Sequence, residues 1–232
     1  MDWKAYYDAR VPDFAPEDHL GQVGHTVNGA PIPQEHFATL RDQIAELLAI
    51  GPQDHLLDLC CGNGLFTRPL AARARTACGA DISHEMIRVA RRDHPAPNLH
   101  YTELDARHAA RLGTRSEAPF TCVLLYGAWQ HFDAGTGAEV LAALHGITAP
   151  GARVLLGFVP DLARRDRFFD TPERRAAHAA HVAAGTDMFG TWWDRDDLSA
   201  LAASHGYDCR YTDLPPMVQA AGYRFNALLT RV

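Results

Sequence analysis

Residues 56–64 read LLDLCCGNG, and the order of types is a compact piece of chemistry. Leu56, Leu57, Leu59 and Cys60 suit a buried strand, with one acid, Asp58, among them. Gly62-Asn63-Gly64 comes next, and a helix-like segment follows at once. A buried parallel strand that ends in a glycine turn and opens a helix makes a crevice for a nucleotide. Glycine lets backbone approach a ligand where a Cβ would clash. The helix N-terminus adds free N–H groups. The shape D-x-x-x-G-x-G keeps its acid inside the strand and lacks a third glycine, which separates it from the dinucleotide fingerprint.

The elements that must hold this turn alternate along the chain. Residues 34–49 form a helix, with Phe37, Leu40, Ile44, Leu47 and Leu48 at three- and four-residue spacing, and Gly51-Pro52 stops it. Strands are expected at 55–61, 77–82, 99–106, 120–127 and 152–159. Helices are expected at 65–74, 83–93 and 137–148, the second capped by Ser83. Pro69 fits the first only near its initial turn. Such alternation implies a parallel sheet covered on both faces, and the apolar runs CVLLY and VLLGF suit strands buried on both sides. Residues 160–190 break the rhythm and read as a helical insertion, followed by a helix at 194–206. The last two strands, 207–214 and 223–232, have too short a loop for a parallel crossover and should form an antiparallel hairpin. Residues 1–33 show little periodicity beyond a short aromatic helix at the start.

Bulk properties bound the partners. At 232 residues the chain can bury one good core, and 47% hydrophobic with 22% charged residues is ordinary for a globular protein. The net charge of −6 and the lack of a basic block argue against nucleic acid as the main partner. No apolar leader opens the sequence, and the longest apolar runs, near 122–129 and 154–159, cannot span a bilayer. The expectation is a cytoplasmic protein without a membrane partner. Cys60, Cys61, Cys78, Cys122 and Cys209 form no C-x-x-C pair and read as buried thiols. No cluster of His and acids has ligand spacing, so no metal is implied. A homodimer is among the open assemblies.

With these features in order, residues 51–232 resemble a class I S-adenosylmethionine (SAM) dependent methyltransferase. The resemblance implies an α/β, Rossmann-like, seven-stranded, mostly parallel sheet with a C-terminal antiparallel hairpin and helices on both faces. Residues 1–50 would form an N-terminal cap or lid, and about 160–195 a helical insertion in the core domain. In that family the glycine turn lies against the methionine and ribose of SAM, which falls here on Cys61, Gly62, Asn63 and Gly64. Asp58 matches the strand acid, which sits under the methionyl ammonium or orders the turn. Asp81, at the end of the second strand, matches the acid that accepts from both ribose hydroxyls, and Ile82 the apolar residue on adenine. Asp105 and Ala106 fall near the adenine amino group. The end of strand four, LLYGAWQHF, faces the methionine end and the acceptor, and APGARVLL supplies the turn before strand five. S-adenosylhomocysteine (SAH) would be the product.

Methyl transfer from a sulfonium is an in-line displacement in which the cofactor brings the reactivity. The protein must align the partners and exclude water. A hydroxyl or acidic-carbon acceptor also needs a base. His131 is the first candidate, with loop ordering as its other reading, and His25, in GQVGHTVNGAP, is the second. Tyr126 is expected to bind the cofactor and Trp129 the acceptor, with simple packing of strand four as the other reading of both. Trp3, Tyr6 and Tyr7, with Phe189, Trp192 and Trp193, form two aromatic clusters. Their faces suit a sulfonium and a flat acceptor, or they stitch the cap to the core. The arginines at 164–175 form a solvated helix face or a lid for an anionic acceptor. The expected function is methylation of a small-molecule acceptor in specialised or sugar metabolism, with oxygen or carbon favoured over nitrogen. A non-catalytic SAM-binding module and an NAD(P)-dependent oxidoreductase are the rivals.

Overall fold

In the computed structural model, which describes every residue except Arg115, the chain opens with α1 (Trp3–Arg10). The Asp2 carboxylate caps it by accepting from the Ala5 N–H at 3.0 Å. Then come α2 (His19–Gln22) and a two-residue hairpin, β1 (Thr26–Val27) and β2 (Ala30–Pro31). Asn28 and Gly29 make its turn at φ 50° and 82°, the handedness that matches strand twist. α3 (Gln34–Leu47) leads to the main sheet.

That sheet is laid down as β3 (His55–Leu59), α4 (Thr67–Ala71), β4 (Thr76–Asp81), α5 (His84–Asp93), β5 (Leu99–Glu103), β6 (Phe120–Tyr126), α6 (Ala134–Ile147) and β7 (Thr148–Pro160). Two insertion helices, α7 (Arg165–Phe168) and α8 (Pro172–Ala183), precede α9 (Arg195–Ser204), β8 (Tyr207–Asp213) and β9 (Arg224–Arg231). The strand order is β5-β4-β3-β6-β7-β9-β8, and β9 runs antiparallel to both of its neighbours. The chain leaves β3 toward β4 and later returns to its other side as β6. Their carboxyl ends therefore frame the topological switch point where α/β sheets bind ligands.

Side chains alternate across the sheet with period two. Leu57, Leu59, Val123, Leu125, Val154 and Leu156 face one layer, completed by α6, α9 and the short helical turns at 106–112. Leu56, Cys122, Leu124 and Leu155 face the other, completed by α3 and α4. Leu40, Ile44 and Leu48 of α3 are buried in that layer. The segment above the carboxyl edge is therefore the part of the chain before α3.

Several boundaries move for local reasons. β3 stops at Leu59 because Cys60 turns to φ 63°. α4 is shorter than the 65–74 reading, with Pro69 in its first turn, where the missing N–H has no helical partner to lose. α6 starts at Ala134 because the Asp133 carboxylate accepts from the Thr136 N–H at 2.7 Å. Pro150-Gly151 lies inside β7 at a shift of register with β6, rather than before the strand. The chain leaves α3 through Ala49 at φ 43°, ahead of Gly51-Pro52. Among the described residues, no helix is long and apolar enough to cross a membrane.

Candidate functional site

The glycine turn is locked by protein contacts on every side. Cys60, Gly62 and Gly64 all take positive φ, at 63°, 54° and 81°. For a cysteine this conformation is strained. A Cβ on Gly62 would lie 2.9 Å from Val23 Cγ1, and one on Gly64 2.5 Å from the Tyr101 hydroxyl. Both glycines thus make room for neighbouring side chains of this chain. Asn63 is fully buried, and its amide donates to the His19 carbonyl at 2.9 Å and to Gln22 Oε1 at 3.0 Å. It staples the turn to α2.

Two carboxylates hold the turn from below. Asp81 accepts from the Gly62 N–H at 2.8 Å and from the Ser83 N–H at 2.9 Å. Burial raises its pKa, against the pull of those two bonds. Asp58 is 2% exposed and accepts from Thr67 Oγ1 at 2.5 Å. Burial pushes its carboxyl up to about 7. Asp105 is different: Arg107 donates to it at 2.6 Å, and that contact holds it below the usual carboxylate range.

Above this turn lies a cavity of about 1140 Å³. Cys61, Gly62, Asn63, Asp81, Ile82, Asp105 and Ala106 line it from the ends of β3, β4 and β5. His25, Tyr126, Phe158, His131, Trp192 and Arg224 line it from the β6, β7 and β9 side, the cap and the insertion. Single-ligand pockets run from roughly 300 to 1,000 Å³, so this one lies just above the top of that range. Five of its polar atoms are buried without a hydrogen-bond partner among the described residues: Tyr126 Oη, His131 Nδ1, His178 Nε2, Trp192 Nε1 and Arg224 Nε. Orphaned polar groups in a cavity fit a polar ligand that would pair with them.

The cap closes one side. Lys4 Nζ donates to the Ile82 carbonyl at 3.0 Å and to Glu103 at 2.8 Å. The Asp8 carboxylate accepts from Ser83 Oγ at 2.6 Å. Tyr7 and His131 Nε2 share a hydrogen bond of 3.1 Å, and the Trp3 ring lies 3.9 Å from that imidazole. Burial pushes His131 down to about 3. His25 sits among the rings of Phe66, Tyr126 and Phe158, and burial lowers it to about 4, with the Arg224 charge adding to the effect. Both imidazoles are neutral at pH 7. Each can accept a proton, but such low basicity makes each a weak base until a ligand changes its surroundings.

Two expected acceptor contacts move to the core. Trp129 is fully buried, packed against Phe132 and Trp193, and Trp193 donates from Nε1 to the Trp129 carbonyl at 3.3 Å. Neither ring lines the cavity, because the turn after Tyr126 points Trp129 down among α6 and α9. Tyr7 and Trp192 do line it. The insertion's arginines are largely committed elsewhere. Arg164 pairs with Asp161 and Asp213, and Arg174 with Asp170, while Arg165 lines the cavity.

Sequence reading missed Arg224, Gln130 and Phe158. Arg224 is 7% exposed, donates to Gln130 Oε1 and to the Phe158 carbonyl, and lies 4.5 Å from the Phe158 ring centroid. A lone charge at the start of the apolar strand RFNALL was the available signal.

Comparison with known proteins agrees with this geometry. Residues 56–151 match a family described as a methyltransferase domain. The 23S rRNA (uracil(1939)-C(5))-methyltransferase RlmD of Vibrio cholerae is 32% identical over 104 residues, 34% of this chain and 24% of that protein. An uncharacterized methyltransferase of Schizosaccharomyces pombe is 33% identical over 76 residues, 33% of this chain and 27% of its own length. The chain therefore spans about a quarter of the length of these relatives. Among solved structures, the cyclopropane synthase MmaA2 of Mycobacterium tuberculosis matches over 100% of both chains with TM-score 0.70 and 16% identity. The magnesium protoporphyrin IX methyltransferase ChlM of Synechocystis, crystallised with SAH, covers 99% of this chain and 98% of its own, with TM-score 0.65 and 14% identity. Residues 56–151 are thus similar to a methyltransferase domain, and the chain as a whole carries the Rossmann-like fold seen in solved SAM-dependent methyltransferases.

Proposed function

We propose that this protein methylates a small-molecule acceptor, using SAM bound at the carboxyl ends of β3, β4 and β5. The carrying observation is one cavity of about 1140 Å³ that joins the glycine turn and Asp81 to an aromatic end walled by Tyr126, Phe158 and Trp192. SAM supplies an electrophilic methyl group. Asp81, already pinned through the Gly62 and Ser83 N–H groups, keeps lone pairs free for ribose hydroxyls. Asp58, buried beneath the turn and off the cavity wall, would act as a counter-charge for an ammonium from below. Ile82 and Ala106 offer apolar surface for a purine, and Asp105 an acceptor for its amino group. α1 and the 186–192 segment line this end, where closer packing over bound ligands would exclude water.

Oxygen or carbon is favoured over nitrogen as the methylated atom. The aromatic end carries a buried cation, Arg224, and two neutral imidazoles, an environment that repels a protonated amine. Nucleic acid is disfavoured by the net charge of −6 and the lack of a basic block. The test is transfer of radiolabelled methyl from SAM into fractions of a metabolite extract, run beside total RNA and protein. Label in a small-molecule fraction with matched SAH formation supports the reading. Label in RNA alone overturns it.

A further inference from the structure

We propose that Arg224 is the acceptor-recognition residue and that the acceptor is a flat, aromatic-sized molecule bearing a carboxylate. This rests on the reading that the cavity holds SAM and an acceptor.

Arg224 is more than nine-tenths buried, yet among the described residues no carboxylate pairs with it. Its Nη1 donates to two neutral oxygens, Gln130 Oε1 and the Phe158 carbonyl, and its Nε is buried with no partner. A buried cation without a counter-charge is costly to desolvate and is seldom kept unless something pairs with it. Two half-buried arginines elsewhere do meet acids: Arg153 meets Asp54 at 2.7 Å, and Arg195 meets Asp161 at 2.9 Å. Arg224 is the most deeply buried cation among the described residues, and it lines the cavity.

Its place in the sheet separates it from the cofactor's own carboxylate. Because β9 is antiparallel, its first residue sits at the carboxyl edge of the parallel strands, opposite Pro160 of β7. From β3 to β9 is three inter-strand steps, or about 14 Å at roughly 4.8 Å each. Arg224 therefore lines the cavity on the β9 side, well away from the glycine turn. The surrounding wall is flat and aromatic: Phe158 lies under the guanidinium, and Tyr126 packs on Phe158 with centroids 5.5 Å apart. A guanidinium offers a planar fork that fits a carboxylate with two parallel bonds. A ring held against Tyr126 and Phe158 would carry that carboxylate toward Arg224.

The test uses the whole protein saturated with SAH, whose own binding is measured first by calorimetry. Benzoate, salicylate and 4-hydroxybenzoate are then titrated against their carboxamides. The expected result is that at least one acid binds ten-fold or more tighter than its amide. Arg224→Gln removes that preference, Arg224→Lys keeps part of it, and SAH affinity changes less than three-fold in both. If no acid exceeds its amide in the parent protein, the inference is wrong, and that comparison needs no variant to fold. If Arg224→Gln weakens SAH more than ten-fold, the arginine serves the cofactor's carboxylate and the inference is again wrong. If the parent protein binds no SAH at all, it is the SAM reading that fails.

Discussion

Replacing Asp58 by asparagine should stabilise the ligand-free protein at alkaline pH while weakening cofactor binding. Asp58 is 2% exposed, and burial raises its carboxyl from 3.8 to about 7. A raised acid pKa means the folded state holds its proton to higher pH than the unfolded state does. Stability from this group is therefore full below about 4 and is lost as pH rises toward 7. At about 1.4 kcal/mol per pH decade, the cost saturates near 4 kcal/mol above pH 7, and it is already about 1.6 kcal/mol at pH 5. Asparagine keeps an oxygen for the Thr67 hydroxyl but carries no charge. Urea unfolding of both proteins at pH 5 and pH 8 should show the stability difference growing by about 3 kcal/mol in favour of Asp58→Asn. SAH binding at pH 8 should move the other way and weaken, because an ammonium loses its counter-charge. A stability difference that stays flat between the two pH values would refute the idea that Asp58 is buried with a raised pKa.

Other outcomes follow from the same geometry. Trp129→Ala should cost about 3–5 kcal/mol of stability, whereas Trp192→Ala should cost less than half as much and leave SAH affinity near that of the parent; urea melts and calorimetry check both. Gly64→Ala, with its Cβ 2.5 Å from the Tyr101 hydroxyl at φ 81°, should destabilise more than Gly29→Ala, which meets no atom within 4 Å at φ 82°. Thermal melts should separate them by about 1–2 kcal/mol. Because burial holds His25 at about 4 and His131 at about 3, the unfolded chain binds protons that the folded one refuses as pH falls below 6.5. His25→Phe should therefore flatten part of the stability loss between pH 6.5 and 4, measured against the parent by chemical unfolding. If His131 takes a proton from the acceptor, His131→Ala should lower kcat about 10²- to 10⁴-fold with SAH affinity within a few-fold.

The sheet was legible because its signals are local and redundant. Apolar runs such as CVLLY mark strands buried on both faces, and the Ser83 cap and Gly206 mark helix ends whatever their neighbours. The short hairpin at 26–31 was also written in the sequence, as Asn28-Gly29, but the prolines around it masked the alternation of a strand. Asp81 could be placed because it stands at a strand end, and Asp58 because it is the one acid inside an apolar strand. What Trp129 touches could not be read this way. It sits one turn past Tyr126, and whether that turn sends a ring into the cavity or into α6 depends on packing. Asn63 shows the same limit: its position in the turn was clear, but its partners on α2 lie 41 and 44 residues away. Arg224 was hidden for a related reason, since its missing counter-charge appears only once every nearby acid has been located.

The most direct test is calorimetric titration of the whole protein with SAH, repeated with Asp81→Asn. The carboxylate of Asp81 is the group expected to grip the ribose, and asparagine leaves it one acceptor oxygen in place of two. Saturable one-to-one binding by the parent, weakened about 10- to 100-fold by that substitution at a loss of roughly 1.5–3 kcal/mol, is the predicted result. No binding by the parent, or equal affinity in the two proteins, would contradict a SAM site at this turn.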